Sequence, residues 1–173
     1  MLCFPPSGYN LPATGGGGGP PTGPAGGDLS GTYPDPLVIF STQTFTAAEA
    51  ISIGDVVVLD DTGTSGTPGD ARKAQAVLTL AEAVGVAKTA AAAAGDPVEV
   101  YILGIAAMNL TTTPVLGDNG RVVYLSSTLG QGTLTPPAGS GTAVTQLGIL
   151  VGANGATSSP TVLLKIAKPA FRN

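Results

Sequence analysis

From Leu37 onward, short apolar runs alternate with Gly, Asp, Thr and Pro punctuation. Runs of four to eight β-branched and aliphatic residues bounded by turn formers read as strands. They predict strands over Leu37–Phe40, Asp55–Asp60, Ala71–Ala76, Ala83–Lys88, Val98–Ala106, Arg121–Ser126, Thr145–Val151 and Thr161–Lys168. Their Val, Ile, Leu, Tyr and Thr suit a pleated, half-buried surface. Turn signals separate them, among them Thr62-Gly63, Gly69-Asp70, Gly95-Asp96-Pro97 and Asn119-Gly120. Thr46–Ala50 fits either a short helix or the start of a strand. Thr89–Ala94 (TAAAAA) has high helix propensity, but Gly85 and Gly95-Asp96-Pro97 confine it to a loop or one helical turn.

Within Val98–Ile105, alternation puts Val98, Val100 and Ile102 on one face and Glu99, Tyr101 and Leu103 on the other. The second face is not polar. Tyr101 and Leu103 are therefore candidates for burial against another subunit, although a second layer of the same chain would serve as well.

The apolar pattern also repeats. Gly54-Asp55 ahead of VVVL returns as Gly117-Asp118 ahead of NGRVVYL, Val84-Gly85-Val86 as Leu147-Gly148-Ile149, and Pro97 as Pro160, each about 63 residues on. Val98-Glu99-Val100 matches Val162-Leu163-Leu164 at a slightly longer offset. This predicts an all-β fold of two similar halves, closing on each other as a small barrel or sandwich with pseudo-twofold symmetry. Closure would remove free strand edges, which this sequence has few charges to protect.

Residues 1–36 break the pattern. The stretch GGGGGPPTGPAGGDLSGTYPDPLV, from Gly15 to Val38, can form neither a helix nor a core of its own. The expected organisation is an extended Gly/Pro-rich arm over 1–36 and a β domain over 37–173. In the arm, Leu2, Phe4, Tyr9, Leu11, Leu29 and Tyr33 are the side chains able to anchor on a partner. The glycines do not make a phosphate loop, because no Lys follows and no strand precedes them. Gly19 and Gly23 are out of step for a collagen repeat.

Composition narrows the chemistry. Of 173 residues only 10% are charged, against about 25% in an ordinary domain, so much of the surface is expected to be covered by other copies or a partner. Seven Lys and Arg, none before Arg72, and a net charge of −4 argue against nucleic acid, whose phosphates need clustered cations. Histidine is absent and Cys3 is the single cysteine, which leaves no Cys/His zinc site and no intrachain disulfide. No run of about 18 apolar residues suggests a membrane helix, and MLCFPPSGYN lacks the basic start of a signal peptide. Asp60-Asp61 would point to opposite faces of a strand, and Glu49, Glu82 and Glu99 have no His or Cys to work with. Turn and cap roles are expected for the carboxylates. No catalytic residue, metal or cofactor is expected.

At Gly26–Pro36 the sequence GGDLSGTYPDP resembles the GGDLSGTYPNP connector of tailed-bacteriophage virion proteins, with Asp35 in place of the usual Asn. Gly54–Leu59, Ala83–Lys88, Gly120–Pro136 and Leu147–Leu150 together resemble a β-barrel module of phage head-decoration, head-fibre and tail-fibre proteins. The resemblance implies a non-enzymatic, trimeric structural virion protein, made in the host cytoplasm, with the major capsid protein and itself as partners. Two readings follow. The first is a capsid decoration, cement or head-fibre protein attached through its arm; the second is a short tail fibre or tail-tip protein whose loops Asp60–Asp70 and Ser127–Thr142 bind a host glycan or surface protein. The short chain, without heptads or shaft repeats, favours the first.

Overall fold

The computed structural model describes residues 23–24, 29–30, 32–33, 37–38, 42–61, 63, 66–77 and 79–171. The chain divides into two units, Met1–Val38 and Ile39–Asn173. In the first, β1 (Gly23–Pro24) pairs with β3 (Thr32–Tyr33) and β2 (Leu29–Ser30) with β4 (Leu37–Val38), both antiparallel.

The second unit is all-β and holds two five-stranded antiparallel sheets. The first sheet comprises β5 (Thr42–Thr46), β6 (Val56–Leu59), β7 (Ala71–Lys73), β8 (Ala83–Ala87) and β9 (Pro97–Tyr101). The second comprises β10 (Gly104–Ala107), β11 (Val122–Leu125), β12 (Gly132–Thr133), β14 (Gln146–Gly152) and β15 (Thr161–Leu164). A ribbon of β13 (Ala143–Val144) and β16 (Ala170–Phe171) completes the pairing. The one helical element among the described residues is a 3-10 turn at Leu116–Asp118, so Thr89–Ala94 is loop and the Ala propensity there goes unused.

One predicted strand is really two. Val98–Ala106 is cut after Tyr101, and β9 and β10 belong to different sheets. Gly104 has φ +99°, a left-handed conformation that only Gly adopts freely, and it turns the chain out of the first sheet. Ile102 thus leaves the face it was expected to share with Val98 and Val100, which are both buried. The pattern also missed β5, whose TQTFT carries too few aliphatics to register.

The strand order is the same in both sheets: the first strand pairs with the fifth, the fifth with the fourth, the fourth with the second and the second with the third. The irregularities coincide too. The β6–β8 register slips between Val57 and Val58, and the β11–β14 register between Val123 and Tyr124. Just before each slip a glycine stands opposite, Gly85 against Val57 and Gly148 against Val123. A Cβ on Gly85 would collide with the Tyr101 carbonyl oxygen, and one on Gly148 with that of Leu163. Neither glycine needs an unusual φ; each is there because the neighbouring backbone lies too close for a side chain.

One apolar cluster joins the sheets, with Val56, Val58 and Val86 from the first and Val123, Leu147 and Leu150 from the second. A smaller cluster lies on the other face of the first sheet, where Ala47, Ile51 and Ala91 cover Val57, Val98 and Val100. The halves are further tied by Asn109. Its Nδ2 donates to the Ile53 carbonyl and to Asp55, 3.0 Å each, and its Oδ1 accepts from the Ser159 hydroxyl at 2.6 Å. The Asn109 backbone N–H donates to the Gly54 carbonyl at 2.9 Å, and its carbonyl accepts from Gly132 at 2.8 Å.

Replacing Gly148 by Ala is expected to cost about 1–3 kcal/mol or more, as overpacking does in a close-packed interior. Urea unfolding checks this; a loss below about 0.5 kcal/mol, the range of an unremarkable surface change, would contradict the close approach.

Candidate functional site

Several carboxylates, the natural place to look for chemistry, are occupied with holding turns or pairing with cations. Asp55 accepts from the Ser52 N–H at 2.9 Å, Asp70 from Thr67 at 2.8 Å, and Asp96 from Ala92 and Ala93 at 3.0 Å each. Glu49 accepts from the Lys73 N–H at 2.9 Å. Asp60 is buried 3.8 Å from the Arg72 guanidinium, and Lys88 meets Glu99 at 2.8 Å. Asp118 accepts from the Val115 N–H and pairs with Arg121 at 2.6 Å. That Arg121 hydrogen bond, followed by the Val115 N–H, holds the Asp118 carboxyl below its usual value, while the Glu99 hydrogen bond raises Lys88 above its own. Among the described residues no group of three or more His, Cys, Asp or Glu could hold a metal ion.

Two open clefts share Glu82 and Val84. One, of about 350 Å³, lies between β8 and the segment Ile166–Pro169; the other, of about 430 Å³, is lined by Val58, Leu59, Asp61 and Thr79. Glu82 and Lys168 are the charged residues of the first, and Asp61, Thr79 and Glu82 the polar ones of the second.

Apolar surface is the feature that stands out. Single exposed hydrophobics are ordinary, but a contiguous patch marks an interaction site. Leu103 is 61% exposed in the crossover between the sheets, and Leu116 72% exposed in the 3-10 turn. On the second sheet Val162 and Leu164 point inward and are buried, whereas Leu163 between them is exposed, as is Ile105 paired with it on β10. The outward face is therefore apolar where water would favour polar side chains.

Tyr101 and Leu103, expected on one face, separate. Tyr101 stays in β9, half-buried against the main cluster with the Lys88 ammonium 5.9 Å from its ring centre. Leu103 stands outside any strand. Leu29 and Tyr33 fall in β2 and β3, and Leu2, Phe4, Tyr9 and Leu11 lie outside the described residues. The loop Asp60–Asp70 is described in part and Ser127–Thr142 throughout. The residues that sequence reasoning missed are Ile105 and Leu163. The available signal was that TVLL is apolar at consecutive positions, so that whichever face turns inward, the other presents a hydrophobic residue.

A family model described as phage cement protein matches residues 42–166, well over half of the chain. No curated protein and no solved structure matches.

Carbon-detected NMR titration is expected to put the Asp118 carboxyl below the ordinary carboxylate range, and Arg121→Gln to raise it. Because the folded-state value is the depressed one, any stability from this pair is complete above the unfolded-state value and is lost as pH falls through the folded-state value. An Asp118 titration unmoved by Arg121→Gln would remove that assignment.

Proposed function

The chain belongs to the phage cement protein family, and on that footing we propose that it decorates a phage capsid, binding the major capsid protein from outside and adding adhesion without chemistry. The match over 42–166, which spans both five-stranded sheets, is the observation that carries this reading. The family is a structural one, and the use of the carboxylates as turn caps agrees with such a role.

In this reading residues 37–173 form the β domain and residues 1–36 the arm that lies along the shell. Gly lets the arm backbone approach another surface closely, Pro limits the entropy lost when it orders, and Leu2, Phe4, Tyr9, Leu11, Leu29 and Tyr33 supply the anchors. The domain associates as a homotrimer with Leu103 at or near the subunit contact, and many weak sites on one shell add to high avidity. The two halves are a duplicated unit, a reading supported by the shared strand order and the matching register slips. Closure of each half into a small barrel is supported by the parallel bridges Ala47 to Ala71 and Leu110 to Gly132.

Deleting residues 1–36 is expected to leave the far-UV spectrum and the melting transition intact while abolishing cosedimentation with capsids that lack the protein. Undiminished cosedimentation would move the attachment site into the β domain. Gold labelling of virions tests location: label spread over the head agrees with decoration, and label confined to the tail tip would establish the tail-fibre reading in its place.

A further inference from the structure

The first sheet buries two valines of a cross-strand row whose counterpart on the second sheet is more exposed along its whole length. Directly paired residues of antiparallel strands share a face. In the first sheet Thr42 pairs with Tyr101, Tyr101 with Val86 and Val86 with Val56. Val86 and Val56 are fully buried in the cluster that also holds Val123, Leu147 and Leu150 of the second half. In the second sheet the same sequence of pairings links Ile105, Leu163, Ile149 and Val122. Here Ile105 is 47% and Leu163 42% exposed, with Ile149 and Val122 half-buried. At a strand spacing of about 4.8 Å, four strands carry the row over about 14 Å.

Matching positions thus differ in burial: Thr42 and Tyr101 are half-buried where Ile105 and Leu163 are exposed, and Val86 and Val56 are enclosed where Ile149 and Val122 are half-buried. The row of the first sheet faces the second half, while the row of the second sheet faces away from the core and its alternate residues, Val123, Leu150 and Val162, face inward. The cluster that encloses Val56 and Val86 includes none of Ile105, Leu163, Ile149 and Val122. The row of the second sheet is thus the less covered of the two.

We propose that the row Ile105–Leu163–Ile149–Val122 is a subunit interface whose occupant is a second copy of this chain, its first half covering the row as the second half covers the first within one chain. The interface between copies then continues the one inside each copy, and a head-to-tail contact of this kind closes into a ring when its rotation allows. The charge balance fits: no residue of the row is ionisable, and a chain only 10% charged can present a matching neutral surface. The inference rests on the self-association and duplication read above and names the face responsible.

The test is sedimentation velocity on the full chain, with Leu163→Lys and Ile105→Lys as variants and Leu116→Lys, in the exposed 3-10 turn, as control. The wild type and the control are expected to run as an oligomer. Each row variant is expected to fall to the mass of one chain at the same concentration, with its far-UV spectrum unchanged. Should either lysine variant fail to fold, Leu163→Ala and Ile105→Ala replace them, and each is expected to raise the dissociation constant by about tenfold or more. A monomeric wild type would overturn the proposal, and so would row variants that keep the wild-type mass. Cosedimentation with capsids, run in parallel, separates this from the cement reading. Monomeric row variants that still bind capsids support the proposal, whereas variants that keep their mass but lose the capsid would make the shell the occupant and overturn it.

Discussion

Burial of one face of the first sheet by the second half of the same chain is the contact on which the rest of the β unit depends. Val56, Val58 and Val86 share one buried cluster with Val123, Leu147 and Leu150, and full burial of each such side chain stabilises by about 1.5–3 kcal/mol. The requirement decides where the chain must cross over, at Gly104, and why Asn109 is spent on tying the turn before β6 to β12 and to Ser159. It also leaves the outward row of the second sheet unmatched. A face that completes the first half inside the chain has nothing to complete the second.

The polar groups are arranged around that contact and do not compete with it. Asp55, Asp70, Asp96 and Asp118 each accept backbone N–H groups at a turn, where the chain reverses and amides would otherwise lack partners. Such carboxylates are anchored in place. For a protein of the cement family this division of labour is coherent: carboxylates hold the turns, and apolar side chains are left at the surface. The proposed association needs no bound group and no reactive side chain, only surfaces repeated many times over a shell.

Much of this was legible in the chain itself. The strands Val56–Leu59, Ala83–Ala87 and Val122–Leu125 lie inside apolar runs whose flanking turn residues set their boundaries to within a residue or so. The spacing that pairs Val84-Gly85-Val86 with Leu147-Gly148-Ile149 picked out the two places where a backbone carbonyl excludes a side chain. Strands such as β12 and β13 were not legible, because two residues of Gly-Thr or Ala-Val carry no period. The join of β9 to β10 was hidden because both strands are apolar, and a glycine within an apolar run does not announce its φ.

Local composition therefore determined an all-β protein with turn-capping carboxylates, since alternation, β-branching and the placement of Gly and Asp act over a few residues. Tertiary structure alone decided which of two apolar faces is buried. Leu163 and Glu99 occupy matched places in the sequence repeat, and Ile149 and Val86 matched places in the register, yet Val86 is fully enclosed and Ile149 only half-buried. Burial belongs to the pair of surfaces that meet, and a strand's own residues do not specify what lies across from it.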